Sequence, residues 1–275
     1  EAFAMHRPTT GVVVPELLRV WVAELLATGR RAPESLAFVA AGGAAVPEKV
    51  AAAAWQLGIP VHEGYGLPEC CSVVAVNRPG ARIAGTVGAS LPGLTVSIRD
   101  GEILVDGPSV MDGYVGGPGA PRPWPTGDLG ALDGQGRLRV FGRKDNLIVT
   151  ALGRNVSPEW VETTLLDDPG IAFCAVVELE GDLGALIVPA PGAADWFATA
   201  DRRALLVRLA ACCVGLPAYA HPTRVGVLDL AEAKASGLLT ANGRIRRAGI
   251  AALLVRLERV AARPVPSPLA ERLEP

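Results

Sequence analysis

The chain has 275 residues, with 26 basic and 28 acidic side chains, a net charge of −2, and half of its residues hydrophobic. That length allows one large or two modest domains, and the apolar fraction excludes wholesale disorder. The balanced charge leaves no basic footprint for nucleic acid, and no apolar run reaches the roughly 18 residues a membrane span needs.

In chain order, Pro15 to Thr28 reads as a helix, with Pro15 near its first position and Gly29 at its end. Leu36–Ala41 reads as a buried strand, Pro47–Leu57 as an Ala-rich helix stopped by Gly58, and Pro60–Glu63 as a second strand. Strand, helix, strand at this spacing predicts a βαβ unit with a parallel pair. Ligands bind such sheets at the carboxyl ends of the strands, where two loops are predicted, Gly42-Gly43-Ala44 and Gly64-Tyr65-Gly66. Leu94–Arg99 and Glu102–Asp106 alternate around Asp100-Gly101, a strong hairpin signal, and open an antiparallel β unit. Gly116 to Pro125 is Gly/Pro-rich and reads as an exposed loop.

A new pattern begins near Gly142–Asp145. Leu147–Thr150 is a short strand, and Ser157-Pro158-Glu159 opens a helix with Ser as N-cap. Strands at Ala172–Leu179 and Leu183–Val188, a helix near Arg202–Val214, a strand at Arg224–Leu230 and a last helix from about Ile245 to Val260 complete a small α+β domain. The fold class is therefore α/β followed by α+β, with domains at 1–144 and 145–275.

The five cysteines, Cys70, Cys71, Cys174, Cys212 and Cys213, show no metal-ligand spacing and read as buried free thiols. The chain opens with Glu1 rather than Met and carries no leader pattern, which reads as a cytoplasmic protein with an unnatural start. Only Lys49, Lys144 and Lys234 are lysines, so a mechanism that needs one has three candidates.

Four short stretches carry polar chemistry, and each alone also reads as an ordinary turn or solvated linker. In His62–Glu69, a Gly-flanked Tyr65 at a strand end can lie on a purine, and Glu69 can hold a hard cation. In Thr126-Gly127-Asp128, read as a loop, a turn-held Asp can accept ribose hydroxyls. Gly142–Ile148 and Gly153–Glu159 join a charged knot to a capped helix bearing Glu162, and Thr240–Arg244 precedes the last helix.

In this order the set resembles the adenylate-forming superfamily of acyl-CoA synthetases, peptide-synthetase adenylation domains and luciferase-like enzymes. The resemblance rests on Ala41–Ala44, Tyr65–Glu69, Gly85–Gly93, Gly101–Tyr114, Thr126–Asp128, the Gly142–Asp145 hinge with Gly153 and Pro158–Glu162, and the Ala241-Asn242-Gly243 turn. It implies that residues 1–144 are the rear part of a large AMP-binding domain and 145–275 a small mobile domain. The implied reaction converts a carboxylic acid and ATP into an acyl-adenylate, then passes the acyl group to a thiol. The resemblance places Gly42, Gly43, Ala44, Tyr65 and Gly66 at the nucleotide, with Tyr65 stacked on adenine. Asp128 and Arg143 would hold the ribose, Glu69 would bind Mg²⁺, Asp145 would be the hinge, Gly153 would border the thiol tunnel, and Arg244 would be catalytic. The implied cofactors are ATP, Mg²⁺ and CoA or a carrier-protein phosphopantetheine. The implied partners are a small-molecule carboxylic acid and CoA or an acyl carrier protein; that the acid is fatty or otherwise apolar is read from Phe38, Val39 and Val73–Val76, which read more simply as plain core.

The sequence departs from the family pattern in three ways. The upstream phosphate loop and half the family's usual length are absent, Pro68 stands where a hydroxyl residue is expected, and Arg244 stands where a lysine is expected. Arg keeps the charge but not the compact geometry of an ammonium. The leading expectation is part of an acid–thiol ligase, inactive as this chain alone. The alternatives are an acyl-AMP ligase loading a carrier-protein thiol, and a non-catalytic adenylate-fold binding protein or inactive fragment.

Overall fold

Short apolar strands alternating with helices build the first sheet, and the computed structural model describes residues 5–238, 246, 247 and 249–261. Strand β1 (Thr10–Val13), helix α1 (Pro15–Thr28), β2 (Phe38–Ala41), α2 (Glu48–Gln56) and β3 (Val61–Tyr65) place three parallel strands side by side. Pro15 at the helix start and Gly29, in the left-handed region at φ 62°, set the limits of α1. Leu18 and Val22 on α1, Ala51 and Ala54 on α2, and Val39 and Val61 on the strands form one buried cluster. β4 (Ala75–Val76) and β5 (Ala89–Ser90) continue the sheet antiparallel, giving the order β1-β2-β3-β4-β5.

The antiparallel sheet follows as β6 (Thr95–Arg99), β7 (Glu102–Asp106), β8 (Trp124–Leu132) and β9 (Leu138–Arg143), in that order. Asp100 and Gly101 both have positive φ, 52° and 79°, the turn whose twist matches a hairpin. Ile103, Val105 and Leu138 pack with Cys70, Val74 and Ala75, so the two sheets share a core.

The chain divides into two units, Glu1–Leu147 and Ile148–Pro275. In the second, β10 (Ile148–Val149) and β11 (Asn155–Val156) form a ribbon that leads into α3 (Pro158–Leu165). Ser157 caps α3 by accepting the Trp160 N–H at 3.4 Å. β12 (Ile171–Leu179) and β13 (Asp182–Pro189) run antiparallel, α4 (Ala194–Thr199) and α5 (Arg202–Cys212) follow, and β14 (Arg224–Val227) joins parallel to β13. α6 (Leu230–Ala235) and α7 (Ile250–Ala261) complete the described elements. Alternate residues of β12 enter different cores: Cys174 and Val176 pack with α3 and α5, Ala175 and Val177 with α7. Burial on both faces explains the unbroken apolar run of this strand.

An ion pair between the half-buried Arg247 and the buried Glu162 fixes the chain just before α7. Arg247 donates to Glu162 Oε1 at 2.5 Å and Oε2 at 2.9 Å, to Glu159 at 3.1 Å and to the Val176 carbonyl at 3.0 Å. Glu162 also accepts the Val176 N–H at 2.7 Å.

Several expectations need correction. Thr126-Gly127-Asp128 is not a loop between strands; it lies inside β8 as a bulge. Gly64 and Tyr65 are the last residues of β3 rather than loop residues, because pairing with β4 extends the strand. Trp124 and Pro125, expected in the exposed loop, open β8. Leu230 starts α6 and does not end a strand, since Asp229 accepts the Glu232 N–H and begins a helical turn. Cys70, Cys174 and Cys213 are buried, but Cys71 is exposed and Cys212 half-buried. β1, β4, β5, α4 and α6 had no counterpart in the sequence reading; their two to six residues are too short to show periodicity.

Candidate active site

The carboxyl ends of β2 and β3 present two glycine-containing turns. Gly42 follows β2 and donates to the Val13 carbonyl at 3.3 Å; a Cβ on it would sit 3.2 Å from the Gly64 carbonyl oxygen. Gly43 and Ala44 beside it are exposed. Gly66 follows β3 and lies so close to the Ser72 carbonyl that a side chain would overlap it. The turn under it, Pro68–Cys70, is closed by the Cys70 and Ser72 N–H groups on the Leu67 carbonyl. This turn carries Glu69.

Glu69 accepts the Tyr114 hydroxyl at 2.6 Å, and its own carbonyl accepts the Met111 N–H at 2.8 Å. The Tyr114 hydrogen bond holds the Glu69 carboxyl below its ordinary value, and the Arg143 charge adds to the effect.

The bulge in β8 supplies the opposite wall. Its flanking pairs, Leu104↔Pro125 and Glu102↔Leu129, leave extra residues on β8, and Gly127 takes φ 72°. Thr126 donates its hydroxyl to the Ile103 carbonyl at 2.8 Å and accepts the Asp128 N–H at 3.1 Å. Asp128 thereby projects from the bulge with both oxygens engaged. Tyr65 donates to Oδ2 at 2.6 Å and Arg143 to Oδ1 at 3.3 Å. Arg143, the cross-strand partner of Asp128, also donates to the Thr126 carbonyl at 3.1 Å. Burial, with the Asp128 bond second, raises the Tyr65 phenol well above its ordinary value, so Tyr65 is a neutral donor at physiological pH. Asp145, in the turn Lys144–Asn146, is exposed and lies 3.5 Å from Arg143.

The first unit thus gathers Tyr65, Asp128, Arg143 and Asp145 through direct contacts, with Glu69 on the turn after Tyr65 and within the field of Arg143. Gly42 adjoins at Gly64. Gly153 lies in the second unit, in the turn between β10 and β11, with φ 68° and, among the described residues, no atom within 4 Å of a would-be Cβ. Its backbone alone accounts for glycine there. Arg244 and the rest of the Ala241–Arg244 turn lie outside the described residues.

Two residues of this site carry no role in the sequence reading, although both stand in Gly101–Tyr114. Tyr114 holds Glu69, and Glu102 accepts the Gly127 N–H at 3.0 Å and the Lys144 ammonium at 2.9 Å. Neither is marked by a local pattern: Glu102 meets Gly127 and Lys144, and Tyr114 meets Glu69, only across the folded chain.

Among the described residues no cluster of three His, Cys, Asp or Glu side chains could hold a metal ion, and no helix is long and apolar enough to cross a membrane.

The family model of AMP-binding enzymes matches residues 1–115. A long-chain-fatty-acid–CoA ligase of Mycobacterium tuberculosis is 40% identical over 144 residues, 50% of this chain and 24% of that protein. A feruloyl-CoA synthase of an Amycolatopsis species is 31% identical over 239 residues, 78% of this chain and 46% of the relative. The O-succinylbenzoate coenzyme A synthetase of Bacillus subtilis, solved with AMP, superposes at a TM-score of 0.69 with 28% identity, covering 89% of this chain and 51% of that one. The same enzyme solved with ATP and magnesium ion superposes at 0.68, covering 94% and 53%. The chain spans about half, or less, of the length of each of these proteins.

Proposed function

The chain belongs to the AMP-binding superfamily, and from that premise we propose that it holds the adenosine half of ATP and of an acyl-adenylate in an ATP-dependent acid–thiol ligase. The observation that carries this reading is the Tyr65–Asp128–Arg143 constellation at the end of β3. A carboxylate has about four lone-pair sites, so the bonds from Tyr65 and Arg143 leave Asp128 room to accept ribose hydroxyls. Tyr65, held at its hydroxyl, offers a half-buried ring to the adenine. Gly42, Gly43, Ala44 and Gly66 leave the strand ends without bulky side chains, so the nucleotide approaches backbone. Arg143 stands beside the ribose and adds positive charge.

The reaction is two displacements. A carboxylate oxygen attacks the α-phosphorus of ATP, the bond to the β-phosphate oxygen breaks, and pyrophosphate leaves. A thiolate then attacks the acyl carbon, and AMP leaves. Magnesium would neutralise phosphate charge during the first step. A single carboxylate, Glu69, with one oxygen engaged by Tyr114, fits a cation that arrives on the phosphates and not a resident metal. Asp145 at the junction of the two units is the proposed hinge between half-reactions, Gly153 borders the proposed thiol path, and Arg244 supplies the proposed positive charge at the reacting groups. The acid is proposed to be apolar, and the acceptor CoA or the pantetheine arm of a carrier protein.

Pro68 favours a second reading. It opens the turn that carries Glu69 and has no hydroxyl to offer a phosphate, which suits a nucleotide-binding protein without adenylation. Pyrophosphate release from MgATP, measured with the full chain and a panel of fatty and aromatic acids, separates the two. Acid-dependent release supports the ligase; AMP binding without release supports the second reading; absence of AMP binding overturns both.

A further inference from the structure

Glu102 uses both carboxylate oxygens on groups that flank the ribose-facing residues. Its Oε1 accepts the Gly127 N–H at 3.0 Å, and its Oε2 accepts the Lys144 ammonium at 2.9 Å. The side chain is 15% exposed, against 53% for Lys144. Gly127 precedes Asp128, and Lys144 follows Arg143. Glu102 therefore closes a ring: bulge backbone, Glu102, Lys144, Arg143, and back to Asp128 through the 3.3 Å contact.

The bulge has its own support without Glu102. Thr126 ties it to the Ile103 carbonyl and satisfies the Asp128 N–H. Glu102 adds a charge-assisted tie from the bulge to the strand end that bears Arg143. The Lys144 hydrogen bond lowers the Glu102 carboxyl below its ordinary value, and Glu102 in turn raises the Lys144 ammonium, so the pair stays charged across the physiological range.

We propose that Glu102 is a positioning residue for nucleotide recognition, holding the Asp128 carboxylate in register with Arg143 and Tyr65 through Gly127 and Lys144. The inference rests on the reading of Asp128 as the ribose acceptor, and it assigns a residue outside contact with the nucleotide.

The test is titration of the full chain with AMP and with 2′,3′-dideoxyadenosine monophosphate, which lacks both hydroxyls that Asp128 would accept. The variants are Glu102→Ala, Glu102→Gln, Lys144→Met and Asp128→Asn, each with a thermal melt. Wild type prefers AMP, and Asp128→Asn abolishes the preference. Glu102→Ala reduces it by about tenfold, the scale of one mispositioned charge-assisted hydrogen bond. Glu102→Gln, which keeps an acceptor for Gly127, retains more of it, and Lys144→Met falls in the same direction. Should Glu102→Ala not fold, Lys144→Met carries the test, because it leaves the Gly127 N–H satisfied. Equal weakening of both nucleotides in the Glu102 and Lys144 variants, or no change, overturns the positioning role. A wild type that does not prefer AMP overturns the ribose reading of Asp128 itself.

Discussion

The Tyr65 hydroxyl and the Asp128 carboxylate stand 63 residues apart in the chain and 2.6 Å apart in space. The bond joins the end of a parallel strand to a bulge in an antiparallel one, so each sheet positions half of the site. Tyr65→Phe keeps the ring and removes the donor. AMP affinity is expected to fall by about tenfold or more, the worth of one hydrogen bond to a charged group being roughly 1.5–3 kcal/mol. Calorimetry checks it, and unchanged affinity would mean that the bond does not order the site.

Gly127→Ala tests the bulge. A Cβ there would lie 2.8 Å from the Arg143 guanidinium, on a backbone at φ 72°. The variant is expected to lose about 1–3 kcal/mol in denaturant unfolding and to weaken AMP binding through Arg143. A stability within error of wild type would contradict the strained bulge.

His62 predicts an acid-sensitive window. It is 1% exposed, stacked on Phe38 with ring centroids 4.7 Å apart and edge-on to Trp55, and its Nδ1 has no partner among the described residues. Burial lowers its pKa below 6.5, partly opposed by Glu63 and reinforced by Arg82. Below 6.5 the unfolded chain takes up the proton first, so stability falls as pH drops through that value toward the folded-state pKa. Melting temperatures at pH 7.5 and 5.5 should differ more in wild type than in His62→Phe, which keeps the stack. An equal difference in both proteins would assign the acid sensitivity elsewhere.

How much of this was legible in the sequence follows from length and distance. The Asp100-Gly101 hairpin and the Ser157-capped helix were readable because their signals lie within a few residues. Four-residue β1 was not, since its register with β2 is set by a neighbour 28 residues on. The Thr126–Asp128 bulge reads as a loop because the groups that hold it, the Glu102 carboxylate on the Gly127 N–H and the Ile103 carbonyl on the Thr126 hydroxyl, lie on another strand. The residue types at Tyr65, Glu69, Asp128 and Arg143 pointed to nucleotide chemistry. Their bracing partners, Tyr114 and Glu102, are tertiary contacts that no local pattern encodes.

In the second unit, Arg247→Ala leaves Glu162 buried without its partner. Burial already raises the Glu162 carboxyl against the opposing pull of Arg247, so its charge depends on that contact. The expected loss is about 3 kcal/mol in urea unfolding. A loss under about 0.5 kcal/mol, the range of ordinary surface substitutions, would show that the pair does not hold the chain before α7.

The central claim is that the end of β3 and the β8 bulge form an adenosine site. Titration of the full chain with AMP, wild type against Asp128→Asn at matched melting temperature, tests it most directly. Saturable binding to wild type that weakens at least about tenfold in Asp128→Asn is the predicted result. Binding of equal strength in the two proteins, or none in wild type, would contradict it.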